Sequence, residues 1–460
     1  MEKLKKLFAA VDMTEGRPWE KILMFTFPML LGNLAQQLYN TVDSIVVGKY
    51  VGDNALAAVG SATPIFNLLI VLFVGISTGA TIMVSQYFGA RKREELSVTI
   101  GNCITLTGIA SVFIMIAATL GARPLLELLG TPESIIDWCT SYLQILFVGI
   151  AGLAYYNILC GVLRGLGDAI SALLYLMVAC GLNIVLDLLF VAKFNMGVSG
   201  VAYATAIAQG VSAILCFRKL MKMSDLFDFG LNYLKPKKGI YDQVIKLGLP
   251  SGITQGILSM SMLLSQSLTN TFGEMFIACN VVIMRVDAFA MLPNMSFGTA
   301  MTTYAGQNIG AGNQKRVSQG AKQGTFIGVV TSAIITVVIL IFGKYLMGFF
   351  TETEELINAA MTMMRILAVG YIAVSVTQCL SGIMRGAGDT MTPMWISIFQ
   401  TVFLRVPLAY LFVHLSKTAE NPVGDPKCMF YSLVTSWLIG ATLTVIFYRK
   451  GKWRKTGVIK

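Results

Sequence analysis

Charge is what this sequence has least of. Only 13% of its 460 residues are Asp, Glu, Lys or Arg, and His414 is its one histidine. A soluble domain carries about 25% charged residues and roughly 45–50% apolar ones. Here 55% are hydrophobic, and mean hydropathy is +0.70. No single water-soluble core absorbs that much apolar surface, whereas a bilayer does. Period-2 alternation is missing, which argues against a β-barrel. There is no G-x-x-x-x-G-K-[ST] phosphate loop and no polar segment long enough to fold as an ATPase. An aspartate-rich metal motif and a catalytically placed histidine are also lacking. A membrane prenyl or acyl transferase is therefore not expected, and the chain reads as no enzyme. The eight cysteines show no C-x-x-C spacing. Most lie in apolar runs (Cys103, Cys160, Cys180, Cys216, Cys279, Cys379) and read as small packing residues. Residues 1–20 carry both signs of charge and no apolar core, so no cleavable signal peptide is expected.

What is present is a series of apolar runs. Ile104 to Leu120, Ile327 to Phe342 and Tyr431 to Tyr448 are nearly uncharged over the ~20 residues a spanning helix needs. Twelve spans are expected near 20–45, 54–76, 97–120, 138–160, 168–192, 199–217, 240–268, 276–302, 321–343, 361–383, 392–414 and 430–448. The net charge of +11 is not one compact patch, so nucleic acid is not a partner. Basic residues gather on one set of connections: Lys3, Lys5, Lys6 and Arg17; Arg91, Lys92 and Arg93; Arg164; the central run from Arg218 to Lys246; Lys315, Arg316 and Lys322; Arg385; and the tail from Arg449 to Lys460. The opposite connections hold Lys49, Arg123, Lys193, Lys344, Lys417 and Lys427. This bias places both termini in the cytoplasm of a bacterial inner membrane.

The chain repeats itself. Gly-Val-Leu-Arg-Gly-Leu-Gly-Asp at 161–168 recurs as Gly-Ile-Met-Arg-Gly-Ala-Gly-Asp at 382–389, and Gln86-Tyr-Phe-Gly-Ala90 recurs as Gln307-Asn-Ile-Gly-Ala311. Pro28 in span 1 matches Pro250 in span 7. The expected architecture is an all-α integral membrane fold of twelve helices in two six-helix lobes. These are an N-lobe at 1–217, a basic linker at 218–239, a C-lobe at 240–448 and a basic tail at 449–460. Six spans per half make the repeat parallel, related by a pseudo-two-fold along the membrane normal with the transport site between the halves. The R-G-x-G-D segments read as tight turns in which glycine supplies positive φ and Asp caps or pairs.

Without an ATPase, an ion gradient is the simpler power source. Intramembrane polar residues then mark the mechanism, because each is costly in hydrocarbon. Span 1 carries Asn33, Gln36, Gln37, Asn40 and Asp43 as one helical stripe. Span 5 carries Asn183 and Asp187 on one face, and Asn157 and Thr205 could join them. The repeat partners of Asp43, Asn183 and Asp187 are Ser265, Leu404 and Leu408, so the acidic pair belongs to the first half only. A purely architectural need should appear in both. Two converging carboxylates in a half-dry cavity cannot both stay ionised cheaply. Such a pair suits a proton, or a sodium ion held by Asp43, Asn183, Asp187 and Thr205.

Span 8 carries Asn280, Asp287 and Asn294, spaced by seven. Asp287 reads either as half of an ion pair with an arginine such as Arg405, or as a cavity-facing cation site. Arg285 points to nearly the opposite face. The substrate cavity is expected to use Gln36, Tyr39 and Asn40 from span 1, and Asn280, Asp287 and Met291 from span 8. The 25 methionines suit an adaptable apolar cavity, although packing explains most of them.

Over its full length the chain resembles the multidrug and toxic compound extrusion (MATE) family of the wider multidrug, oligosaccharidyl-lipid and polysaccharide flippase superfamily. The resemblance rests on the two-lobe layout, Pro28 followed by Asp43, Gly52-Asp-Asn-Ala-Leu-Ala-Ala-Val59, Gln86-Tyr-Phe-Gly-Ala90, the paired R-G-x-G-D turns, and Asn183-Ile-Val-Leu-Asp187 followed by Gly197-Val-Ser-Gly-Val-Ala-Tyr-Ala-Thr205. It implies an antiporter exporting organic cations or other amphipathic compounds against protons or sodium ions, by alternating access and without a cofactor. It carries the coupling role to Asp43, Asn183 and Asp187, with Thr205 and Asn157 as helpers and Pro28 as a hinge in span 1. The norfloxacin-exporter branch also uses acids in spans 7 and 10, but Gly252 to Leu268 and Thr362 to Leu380 hold none here. The alternative is a flippase of a lipid-linked substrate, which should show a strongly basic cavity. The chain is expected to act as a monomer among membrane lipids on small amphipathic or cationic substrates.

Overall fold

The computed structural model describes residues 10–128 and 130–459. Lys3, Lys5, Lys6, Leu129 and Lys460 lie outside the described residues. Among the described residues every element is helical. In order they are α1 (Pro18–Tyr50), α2 (Asp53–Gly89), α3 (Arg93–Leu128), α4 (Glu133–Val148), α5 (Ile150–Gly165), α6 (Ala169–Asp187), α7 (Gly197–Met221), α8 (Lys238–Asn270), α9 (Glu274–Gly310), α10 (Gln314–Gly348), α11 (Glu354–Gly386), α12 (Met391–Ile398), α13 (Val406–Leu415) and α14 (Lys427–Lys450). Two π-helical turns interrupt the pattern, Leu188–Lys193 after α6 and Phe399–Arg405 between α12 and α13.

Ten of the described helices are long and apolar enough to cross a membrane, and α4 with α5, bent by 50°, make an eleventh. Helix α1, with 33 residues and about 50 Å at ~1.5 Å per residue, is long enough to make a twelfth. Its amides at 33, 36 and 37 keep it less apolar than the others. The twelve-helix all-α expectation therefore holds. Several helices overrun the expected spans: α2 reaches Gly89 rather than 76, and α9 reaches Gly310 rather than 302. Hydropathy marks only the hydrocarbon crossing; the helix continues until a glycine-rich turn stops it. On α3 the exposed residues Ile109, Val112, Phe113, Ile116 and Leu120 fall at helical spacing, an outward apolar stripe suited to lipid.

The chain divides into two compact units. The first is Phe27–Gly252 with the segment ending at Asp12; the second is Ile253–Val458 with Met13–Thr26. Thus α1 gives its first turns to the second unit and the rest to the first, changing over beside Pro28. Helix α8 does the reverse, changing over two residues after Pro250. In the second unit the Met13–Thr26 segment is fastened by backbone contacts. Met13 N donates to Gln307 Oε1 at 2.9 Å, and Asn308 Nδ2 donates to Met13 O at 3.1 Å. Arg316 donates to the carbonyls of Met13, Glu15 and Gly16.

The R-G-x-G-D turns repeat atom for atom in role. Gly167 and Gly388 have φ of 90° and 99°. Asp168 accepts from Ser171 N at 2.9 Å and Ser171 Oγ at 2.7 Å. Asp389 accepts from Thr392 N at 3.1 Å and Thr392 Oγ1 at 2.7 Å. The aspartates therefore cap the following helices, as the turn reading requires.

The basic segment after α7 is folded against α3 within the first unit. Arg93 forks onto Asp228 at 3.0 and 2.7 Å and donates to the carbonyls of Ser224 and Asp225. The buried amide of Asn102 donates to Val98 O and Tyr233 O and accepts from Lys237 N at 2.7 Å. Asn102→Ala strips partners from two buried or half-buried backbone groups of the segment. About 2–3 kcal/mol of stability should be lost, read as a lower thermal midpoint in detergent and faster proteolysis between Met221 and Lys238. An unchanged cleavage rate would show that the amide does not hold this segment.

Candidate functional site

The first unit gathers polar residues from three helices. Tyr39 and Asp43 lie one helical turn apart on α1, Asn183 and Asp187 one turn apart on α6, and Thr205 is on α7. The amide of Asn183 makes sense in one orientation only, because the other would point its oxygen at two carboxylates. Oriented so, Nδ2 donates to Asp43 Oδ1 at 2.8 Å and to Asp187 Oδ2 at 2.9 Å, while Oδ1 accepts from Thr205 N at 3.1 Å. The two carboxyl groups lie within hydrogen-bonding reach of each other. The Tyr39 hydroxyl is 3.2 Å from Thr205 Oγ1.

Asn183 and Asp187 are fully buried. Asp187 Oδ1 is buried and receives no hydrogen bond from any described donor. Asp187 also ends α6, where the π-helical turn begins. Such turns interrupt regular pairing and recur at functional sites.

Four expected residues, Asp43, Asn183, Asp187 and Thr205, thus come together. Asn157 does not join them; its Nδ2 donates to Leu153 O at 2.9 Å on its own helix. Tyr39, expected in a substrate cavity, places its hydroxyl against Thr205 of the cluster. Gln36 is half-buried and Asn40 exposed on α1, and Pro28 is buried inside an unbroken α1. Tyr142 of α4 was not expected: it is buried and close enough to Asp43 and Asp187 to feel both charges. Nothing in its sequence context marks it, since a tyrosine among apolar residues reads as packing.

The second unit holds a cavity of about 100 Å³ lined by Asn280, Asp287, Arg405, Met262, Met284, Phe430 and their neighbours. Tyr371 donates to Asp287 Oδ1 at 2.8 Å. Arg405 is near enough for its charge to act on Asp287, but the two close no ion pair. Arg285 points elsewhere, over the Phe350 ring at 5.9 Å. Met291 packs against the apolar core around Tyr371 and Trp437 and does not line the cavity. Asn294 is buried structure, accepting from Ser332 Oγ at 2.7 Å.

The MatE family model matches residues 28–189 and again 250–411. The chain belongs to the MatE family. The two matched stretches start 222 residues apart, within one residue of the 221 that separates the repeated glycine motifs. MatE proteins are transporters, not enzymes. The chain is 30% identical over 445 residues to "Probable multidrug resistance protein YpnP" of Bacillus subtilis (strain 168), covering 97% of this chain and 98% of that protein. It is 29% identical over 461 residues to "Probable multidrug resistance protein YoeA" of the same organism, covering 98% of each. A solved structure described as the outward-facing conformation of a multidrug resistance MATE family transporter of the MOP superfamily superposes with a TM-score of 0.89 at 26% identity, covering 96% of this chain and 97% of that one. This MatE chain is thus a multi-pass membrane protein with two polar sites, one in each unit.

Proposed function

We propose that this MatE chain is a secondary multidrug efflux transporter of a bacterial cytoplasmic membrane, with both termini cytoplasmic, working as a monomer. It exports organic cations and amphipathic compounds by alternating access, in exchange for an inward ion taken by the Asp43–Asn183–Asp187 cluster. The observation that carries this reading is one amide holding two carboxylates together inside a membrane helix bundle. Carboxylates so placed share one proton more cheaply than they carry two charges. Asn183 presents its donor side to them and turns its oxygen to Thr205. That arrangement suits a proton; sodium would draw on Asp43, Asp187 and Thr205 with the amide turned. Export follows when loading of the cluster weakens the hold on substrate and unloading restores it. The reading is tested in proteoliposomes holding a fluorescent organic cation, with a pH or a sodium gradient imposed separately. Movement driven by one gradient and not the other supports exchange and names the ion; movement under neither removes the reading. A lipid-linked substrate is the weaker alternative, because the cavity of the second unit sets its arginine against an aspartate.

A further inference from the structure

The cavity of the second unit has charges of both signs that do not neutralise each other by contact. Asp287 is held in place: its Oδ1 accepts from the Tyr371 hydroxyl, and Tyr371 is itself buried with its ring centroid 6.0 Å from that of Trp437. Arg405 is fixed through its backbone, whose carbonyl accepts from Ser432 Oγ at 2.8 Å at the end of a π-helical turn. Its guanidinium closes no ion pair or hydrogen bond with a described residue, and Arg405 lines the cavity, as does Asp287.

A purely structural pair would close. Contact recovers part of the desolvation cost of two buried charges, and separation forfeits it. A separated pair across a cavity is instead complementary to a ligand bearing both signs. The walls between are apolar and adaptable: Met262, Met284, Met429 and Phe430. At about 100 Å³ the cavity is well under the roughly 300–1,000 Å³ that encloses a whole drug-sized molecule. It fits a head group, leaving the apolar body at its mouth.

We propose that the Asp287–Arg405 cavity binds the head group of amphipathic zwitterions, the ammonium at Asp287 and the carboxylate at Arg405. The inference rests on the efflux reading for its purpose but not for its test, which measures binding without any gradient. Two probes isolate the second charge. Nε-dansyl-lysine carries an α-ammonium and an α-carboxylate, and dansylcadaverine is the same molecule without the carboxylate. Binding to the purified full-length protein in detergent is followed by tryptophan-sensitised dansyl emission. The wild type should bind the zwitterion about tenfold or more tightly than the cation, since a charge-assisted pair to a guanidinium is among the stronger polar contacts. Arg405→Gln should erase that preference while leaving dansylcadaverine affinity within about twofold, a margin set by the modest worth of a lost repulsion. Asp287→Asn should weaken both probes. Equal binding of the two probes by the wild type, absence of saturable zwitterion binding, or a preference that survives Arg405→Gln would each overturn the proposal. The wild-type comparison stands even where a variant does not fold. Loss of ion-driven export with zwitterion binding intact would instead count against the coupling reading alone.

Discussion

Asp43→Asn should abolish gradient-driven accumulation of an organic cation and leave the protein folded. The substitution is isosteric and keeps an oxygen where Asn183 Nδ2 now donates at 2.8 Å, so the contact geometry survives. What disappears is one of the two carboxyl groups proposed to take the coupling ion. In a one-for-one exchange each tenfold difference in the driving ion, one pH unit for a proton, is worth about 1.4 kcal/mol and supports a roughly tenfold concentration ratio of a monovalent cation. In proteoliposomes the wild type should approach that ratio and the mutant should stay near unity. Asp187→Asn should behave alike, because the Asn183 amide bridges both carboxylates. Full ion-driven accumulation by Asp43→Asn would sink the assignment of the cluster.

Gly248→Val should destabilise the protein more than any substitution of a surface residue. Gly75 and Gly79 of α2 face Gly248 and Gly252 of α8, all in the first unit. Small residues four apart on both helices let the backbones touch, as membrane helices favour. A Cβ at Gly248 meets the Gly75 carbonyl oxygen, and a Cβ at Gly79 meets the Val244 carbonyl oxygen. Backbone cannot swing aside as a side chain can, so the cost should be at least the upper end of overpacking, about 3 kcal/mol. The thermal midpoint in detergent should fall by several degrees. Gly256 on the same helix supplies the control: nothing lies within 4 Å of its Cβ position, so Gly256→Ala should be neutral or stabilising by up to about 1 kcal/mol. A Gly248→Val midpoint equal to that of Gly256→Ala would show that the crossing is looser than described.

Much of this was legible in the sequence, and the misses have physical reasons. Membrane spans announce themselves, because hydrocarbon tolerates few polar groups. The repeat announced the paired turns: glycine at positive φ with Asp three residues before a capped Ser171 or Thr392 is a local pattern that needs no knowledge of packing. Asp43, Asn183 and Asp187 stood out for the same reason the spans did. The partners supplied by packing were hidden. Tyr142 and Tyr371 look like any buried aromatic until carboxylates are found, one bonded to the Tyr371 hydroxyl and two near Tyr142. The Thr205 partner of Tyr39 is hidden too, because the stripe on α1 shows only which face is polar, not what faces it. The bend at Gly149 and the two π-helical turns leave no trace in hydropathy, since the composition on either side is equally apolar. Nothing in the sequence singles out Asn102, yet it pins a segment more than a hundred positions later.

Among the described residues only the first unit carries an acidic cluster bridged by an amide, and with the coupling proposed for it this sets what an electrode should record. One shared proton moving in against one monovalent cation moving out transfers no net charge. Such an exchange is electrically silent, indifferent to membrane voltage and driven by the pH difference alone. A zwitterion leaving by the same cycle cancels nothing, so each turnover carries one positive charge inward and becomes a measurable current. A chain with one ion address would therefore be silent or electrogenic according to its cargo.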